Sequence, residues 1–340
     1  MKKGSRLALA ALVAMLCLSA PVNAAPRSFS YDGVSSAAAA PANVRTAYVQ
    51  HIGETTINRL RGEATVRGTL PNVSGLANAT LERTLNSRIA SAYSTLLSKA
   101  GETARTIDFS YEIIADANYV SILIRCKSVS TFTRESYSCI VFSPKTEKLL
   151  TINDVLGPNG VRLANRIIAS LVKAAPARFN PTIAEINNTQ DFYMESNTLV
   201  LMFDQFEIAP GAEGVVCVPI ALKDVISFKM DKSEYYQSAA TLFDVKMIPI
   251  RTIADAFGYD ILWNGHTMTA ELRKNGAFIS SFTIGENSYA KSRTVKRRLE
   301  TAPELRNNRT HVPISFFEEV LGLLYYTDAQ GNIVFTDYAN

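Results

Sequence analysis

The sequence predicts an α+β fold in two lobes. The N-terminal lobe is read as an antiparallel sheet with two long helices. The smaller C-terminal lobe is read as an α+β domain of two strand-helix-hairpin half repeats. Three observations carry this: two stretches with helical periodicity, several runs that alternate like strands, and a doubled, Pro/Gly-punctuated stretch near the C-terminus.

The chain has 340 residues, enough for more than one domain. Hydrophobic residues make up 47% and charged residues 19%, which excludes wholesale disorder. The first segment reads as a secretory signal: Lys2 and Lys3, then an apolar run from Leu7 to Leu18, then small residues at Val22-Asn23-Ala24, with cleavage after Ala24. The apolar run is short for a membrane span, so no anchor is expected after processing. The formal net charge is +4, but removing Lys2, Lys3 and Arg6 leaves 32 basic against 31 acidic residues. A mature chain so near neutrality has no global attraction for nucleic acid.

Residues 25–47 are rich in Ala, Ser and Pro and read as a flexible leader. Folded structure should begin near Tyr48, with a strand over Thr65–Leu70 ended by Pro71-Asn72. Leu76–Ala100 carries a helical stripe of Leu81, Leu85, Ile89, Tyr93 and Leu96. Strands follow at Ile107–Ala115, Tyr119–Ser128 and Tyr137–Ser143. A turn near Phe132-Thr133 would set Cys126 opposite Cys139, the expected disulfide of an oxidising compartment. Cys217, flanked by valines, is then a buried thiol. The first part of this lobe spans 48–148. The second part, 149–230, holds a helix over Gly160–Ala174 and paired strands at Phe192–Met194, Thr198–Asp204 and Gly214–Ile220. A polar segment, 231–241, links to the C-terminal domain, 242–340.

The doubled stretch reads Met247-Ile248-Pro249-Ile250-Arg251-Thr252-Ile253-Ala254-Asp255-Ala256-Phe257-Gly258 and His311-Val312-Pro313-Ile314-Ser315-Phe316-Phe317-Glu318-Glu319-Val320-Leu321-Gly322. Each copy predicts a strand ending at the step into proline, a short amphipathic helix, and a glycine stop. Hairpin signals follow at Asn264-Gly265 and at Gln330-Gly331-Asn332. With the Trp263-Asn264-Gly265 hairpin and Asn307–Ile314, this stretch resembles the family named after the N-terminal domain of copper amine oxidases. That domain is an appendage, so the resemblance implies neither copper nor amine oxidation.

Three places in residues 48–230 resemble a two-part extracytoplasmic unit. They are Leu70-Pro71-Asn72-Val73 with Leu85-Asn86, then Lys148–Leu156, then Phe203-Asp204-Gln205-Phe206-Glu207-Ile208-Ala209-Pro210-Gly211-Ala212-Glu213-Gly214 with Val218-Pro219-Ile220. The unit occurs in the sensor portion of the anti-sigma factor that responds to lysozyme, and ahead of the catalytic domain in some secreted peptidoglycan deacetylases. The family's hairpin tip of Gly-Gly-Ala-His type is replaced here by Val129–Tyr137, so a partner contact through that tip does not carry over.

No reactive constellation is visible. His51, His266 and His311 are scattered and lack metal-ligand spacing, and no nucleophile elbow, P-loop or zinc-protease signature occurs. No catalytic, cofactor or metal residue is assigned. Asp204 and Glu207 read as a surface pair at a strand-turn junction. The basic run Lys291, Arg293, Lys296, Arg297 and Arg298 reads either as a polyanion contact or as a charged edge strand that deters sheet-to-sheet pairing. The expected function is a secreted, non-catalytic cell-envelope protein. Its expected partner is peptidoglycan, a wall polymer or a lysozyme-like envelope protein. A wall hydrolase or carbohydrate-modifying enzyme with carboxylates assembled by folding is the alternative.

Overall fold

The computed structural model describes residues 48–180, 182–238, 244–291 and 295–339. The signal peptide, its cleavage after Ala24 and most of the leader lie outside these residues. The chain divides into two compact units, Met1–Lys223 and Asp224–Asn340.

The first unit opens with β1 (Ile52–Arg61), β2 (Ala64–Val73), α1 (Ala79–Lys99), β3 (Thr106–Ala115), β4 (Val120–Val129), β5 (Thr133–Ser143) and β6 (Lys148–Leu149). These strands form one sheet in sequence order. All its neighbours are antiparallel except β2 and β3, which run parallel with α1 as their crossover. The sheet is therefore mixed rather than purely antiparallel. At the parallel pair Gly68 has φ 123°, and a Cβ there would lie 1.9 Å from the Phe109 carbonyl oxygen. Only glycine admits that approach.

Helix α1 begins where the Asn78 side chain accepts from the backbone N–H groups of Thr80 and Leu81. Its buried stripe of Leu81, Leu85, Ile89 and Leu96 shares a core with Val66, Ile107, Ile122, Ile124 and Phe142 of the sheet. Asn86 extends from α1 to the end of β2, accepting from Val73 N–H and donating to the Val73 carbonyl. Pro71 lies inside β2, opposite Glu54, instead of ending it. The parallel ladder with β3 covers only Thr65–Gly68, so no partner asks Pro71 for a donor.

The chain continues through α2 (Ile152–Leu156), capped by Thr151, and α3 (Gly160–Ala174). It then forms a second, three-stranded antiparallel sheet of β7 (Phe192–Glu195), β8 (Thr198–Phe203) and β9 (Val216–Ala221). The Ser121 hydroxyl of β4 accepts from Met194 N–H of β7, joining the two sheets.

The expected Cys126–Cys139 disulfide does not form. The β4–β5 loop is Ser130–Phe132, and its register puts Cys126 opposite Ser136 and Cys139 opposite Leu123. This register differs from the expected one by an odd number of residues, which sends the two side chains to opposite faces. Cys126 packs in the α1 core, and all three described cysteines are thiols.

The second unit comprises β10 (Val225–Met230), β11 (Tyr236–Ser238), β12 (Val245–Pro249), α4 (Ile250–Ala256), β13 (Asp260–Asn264), β14 (Thr269–Lys274), β15 (Ala277–Thr283), β16 (Ser288–Lys291), β17 (Val295–Arg298), β18 (Glu304–Arg306), β19 (Arg309–Pro313), β20 (Leu324–Thr327) and β21 (Ile333–Tyr338). It starts earlier than expected because β10 pairs along its length with β21. The segment read as a linker also contributes β11, which pairs with β12. The doubled stretch meets itself: Ile248 pairs with Val312, Met247 with Pro313 and Pro249 with His311. After those strands the copies diverge. The first forms α4, whereas Phe317–Leu321 of the second is a π-helical turn closed by Gly322 at φ 73°. The first hairpin enters a five-stranded sheet, β13 to β17, and the second pairs with β10.

Gly68→Ala is expected to destabilise the first unit by about 3 kcal/mol or more, because backbone and not a side chain stands in the way. Chemical denaturation of the full chain, followed by peptide-resolved hydrogen exchange, checks this. Protection should fall in the first unit and hold in the second.

Candidate functional site: a cleft at the open edge of β5

Strand β5 has a neighbour on one side only over most of its length. Strand β6 pairs with Phe142 and Ser143 alone, so, among the described residues, 133–141 have no strand partner on the outer side. Three alternate N–H groups along that edge donate to side chains from the smaller sheet. Cys139 N–H donates to Asp191 Oδ1 at 2.6 Å, Tyr137 N–H to Asp204 Oδ1 at 2.7 Å, and Glu135 N–H to Gln205 Oε1 at 3.2 Å. The period of two is the strand's own repeat. Asp191 directly precedes β7, and Asp204 and Gln205 directly follow β8, so the ends of one hairpin supply all three acceptors.

These acceptors are held in turn. Lys99, the last residue of α1, donates to Asp204 Oδ2 at 2.7 Å. Asp204 N–H donates to Glu207 Oε2, and Gln205 Nε2 to the Gly211 carbonyl. Gln190 Nε2 donates to the Met202 carbonyl, and Met202 N–H to the Asp191 carbonyl. Asp204 is 8% exposed and Glu207 is exposed, so of the expected surface pair Asp204 is buried and Glu207 stays at the surface, accepting from Asp204 N–H.

The open side of this junction is a cleft of about 470 Å³. That size falls within the range of small-ligand sites. Lys99, Arg134, Glu185, Gln190, Asp191 and Glu207 line it. Arg134 Nε is enclosed yet has no hydrogen-bond partner. Phe206, held at φ 75° beside Gly211, lies on the cleft, and Phe132 of the β4–β5 loop meets it edge-on at 5.9 Å. These two rings are 48% and 57% exposed, an aromatic pair at the mouth of a polar cleft. Burial pushes the Asp191 carboxyl up to about 6, against the hydrogen bond from Cys139 N–H. Burial also raises Glu207.

Among the described residues no group of three or more His, Cys, Asp or Glu side chains could hold a metal ion. His311 is buried, with Nδ1 3.0 Å from the Arg309 carbonyl and its ring against Tyr236. His266 is exposed at the β13–β14 turn. Four residues of the basic run are described. Lys291 Nζ donates to the Glu319 carbonyl, Lys296 pairs with Glu286, and Arg297 and Arg298, as neighbours on β17, point to opposite faces. Arg293 lies outside the described residues.

The copper amine oxidase N-terminal domain model matches residues 229–336, and a protein of unknown function (DUF3298) matches residues 153–223. Both domains are present in this chain. Their pairing fits a non-catalytic accessory role. The second match contains most of the cleft wall. A protein named protease inhibitor from Brevibacillus choshinensis is 35% identical over 86 residues, 24% of this chain and 26% of that protein. The chain thus spans about a quarter of that relative's length. A solved DUF3298 family member from Bacteroides fragilis aligns at 9% identity and TM-score 0.34, covering 51% of this chain and 90% of that one. A DUF3298 family protein from Pseudomonas aeruginosa aligns at 13% identity and TM-score 0.33, covering 51% and 88%.

The two units should answer pH with opposite signs. Asp191 and Glu207 have raised folded pKa values, so the folded first unit binds more protons than the unfolded chain. Its stability should rise as pH falls from about 6.5 to about 5. His311 is lowered, chiefly by burial, so the second unit should lose stability as pH falls through the ordinary histidine range. Peptide-resolved hydrogen exchange on the full chain, corrected for intrinsic rates, reads both. Parallel changes in the two units would contradict the assignment.

Proposed function

We propose that this chain is an exported, non-catalytic cell-envelope binding protein that holds a wall glycan in the cleft beside β5. The observation carrying this reading is what the cleft's carboxylates are used for. Asp204 spends one oxygen on Tyr137 N–H and the other on Lys99. Asp191 caps Cys139 N–H, and Glu207 accepts from Asp204 N–H. Glycoside cleavage needs one carboxyl to give a proton and another to attack or activate water. Carboxylates committed to backbone donors are instead fixed acceptors, suited to sugar hydroxyls at whatever lone pairs remain. Arg134 adds a donor, and Phe206 with Phe132 offers an apolar surface to a sugar ring. The likeness of the N-terminal lobe to the lysozyme-responsive sensor adds a muramidase-like protein as the other envelope partner.

Co-sedimentation with purified peptidoglycan and titration with a muramidase test this directly. Saturable binding without release of soluble fragments is expected. Phe206→Ala and Phe132→Ala should each weaken glycan binding by about tenfold or less, with little change in stability because both rings are largely exposed. Turnover of labelled peptidoglycan, abolished by Asp191→Asn, would establish the hydrolase instead.

The match to the Brevibacillus protein favours a second reading, inhibition of an extracellular protease. Stoichiometric loss of protease activity against a panel of secreted proteases, with no wall binding, would select it.

A further inference from the structure

Two of the cysteines meet on either side of one methionine. Cys139 Sγ of β5 lies 3.6 Å from Met202 Sδ of β8. Met202 stands directly opposite Cys217 in the β8–β9 ladder. Directly opposed residues project from the same face, with Cβ atoms about 4.5–5.5 Å apart. Cys139 and Cys217 therefore approach the same side chain, one from each sheet of the first unit. Each thiol also lies within electrostatic reach of the other, and Cys217 within reach of Tyr137 and Tyr193. Cys126 has no place in this cluster, because it faces the α1 core on the other side of the sheet.

We propose that Cys139 and Cys217, thiols in this structure, close on oxidation into a disulfide that ties β5 to β9 and locks the smaller sheet against the larger one. The bond would lie directly behind the cleft. Met202 lines that cleft, and the backbone N–H of Cys139 is the one capped by Asp191. The oxidant is a disulfide of a small thiol or of a thiol oxidoreductase. The Cys217 thiolate attacks one sulfur of that disulfide, and the oxidant's first thiol leaves. Cys139, after losing its proton, attacks the Cys217 sulfur of the mixed disulfide, and the second thiol leaves. Two protein thiols are oxidised and one external disulfide is reduced to two thiols, so electrons and protons balance. Desolvation pushes the Cys139 thiol well up, so its deprotonation is the demanding step of the closure. Rotation of the Met202 side chain away from the pair is the movement the step requires, and a flexible thioether accommodates it.

The test is incubation of the full chain with oxidised glutathione, then denaturation, alkylation and mapping by mass spectrometry. Cys126 should alkylate. Cys139 and Cys217 should appear as one cross-linked peptide pair that reduction separates. Cys139→Ser should return Cys217 to the labelled pool or leave it as a glutathione adduct, and Cys217→Ser should return Cys139. The oxidised chain should also melt several degrees above the reduced chain, a difference that Cys217→Ser removes. Alkylation of Cys126, Cys139 and Cys217 together, a glutathione adduct stalled on wild-type Cys217, or a cross-link involving Cys126 would overturn the proposal. None of these outcomes depends on whether the cleft binds glycan, so the two readings fail separately.

Discussion

The first unit depends on how the outer edge of β5 is satisfied. An N–H removed from water without a partner costs about as much as a lost hydrogen bond, and an open strand edge invites pairing with another chain. Here the edge is closed without a further strand. Asp191, Asp204 and Gln205 accept from alternate N–H groups, and Lys99 balances the charge brought in with Asp204. Asn86 does the same at the end of β2, donating and accepting at Val73. The smaller sheet is thus fixed to the larger one by polar side chains as well as by the Ser121–Met194 link. A cleft follows, because side-chain caps leave open the space that a strand would fill.

The same arrangement bears on how the cleft's carboxylates are read. Burial beside a cluster of carboxylates raises Asp191, the signature often left by a catalytic acid. Structural networks leave the same signature. Asp191, Asp204 and Glu207 each accept from a backbone N–H, the use a structural network makes of a carboxylate, whereas Glu185 lines the cleft at its exposed side. Arg134 Nε, with no hydrogen-bond partner, and the aromatic pair at the rim lie beside that network.

Parts of this were legible in the sequence and parts were not. The stripe of α1 could be read because Leu81, Leu85, Ile89 and Leu96 repeat with the helical period and are buried together. Pro249, Pro313, Gly258 and Gly322 marked the doubled stretch, and its strands do pair with each other. Strand β1 was invisible because Ile52–Arg61 is mostly polar and exposed, with no alternation to detect. The cysteine pairing failed on a small error in turn position, which periodicity alone does not fix. Asp204 and Gln205 stood within the most distinctive motif of the lobe, but their role depends on a strand some 70 residues earlier, which local pattern cannot reveal. The divergence of the two hairpins in the second unit also lay beyond pattern, since tertiary pairing with β10 decides it.

Residue-resolved amide exchange at Glu135, Tyr137 and Cys139 is the most direct measurement of whether the cleft's carboxylates are structural. If the side-chain caps close the β5 edge, these three amides exchange as slowly as the N–H groups bonded to β4, and Asp204→Ala releases Tyr137 first. Exchange at the rate of a solvated strand edge in the wild-type chain would contradict the account and return the carboxylates to the pool of groups available for chemistry.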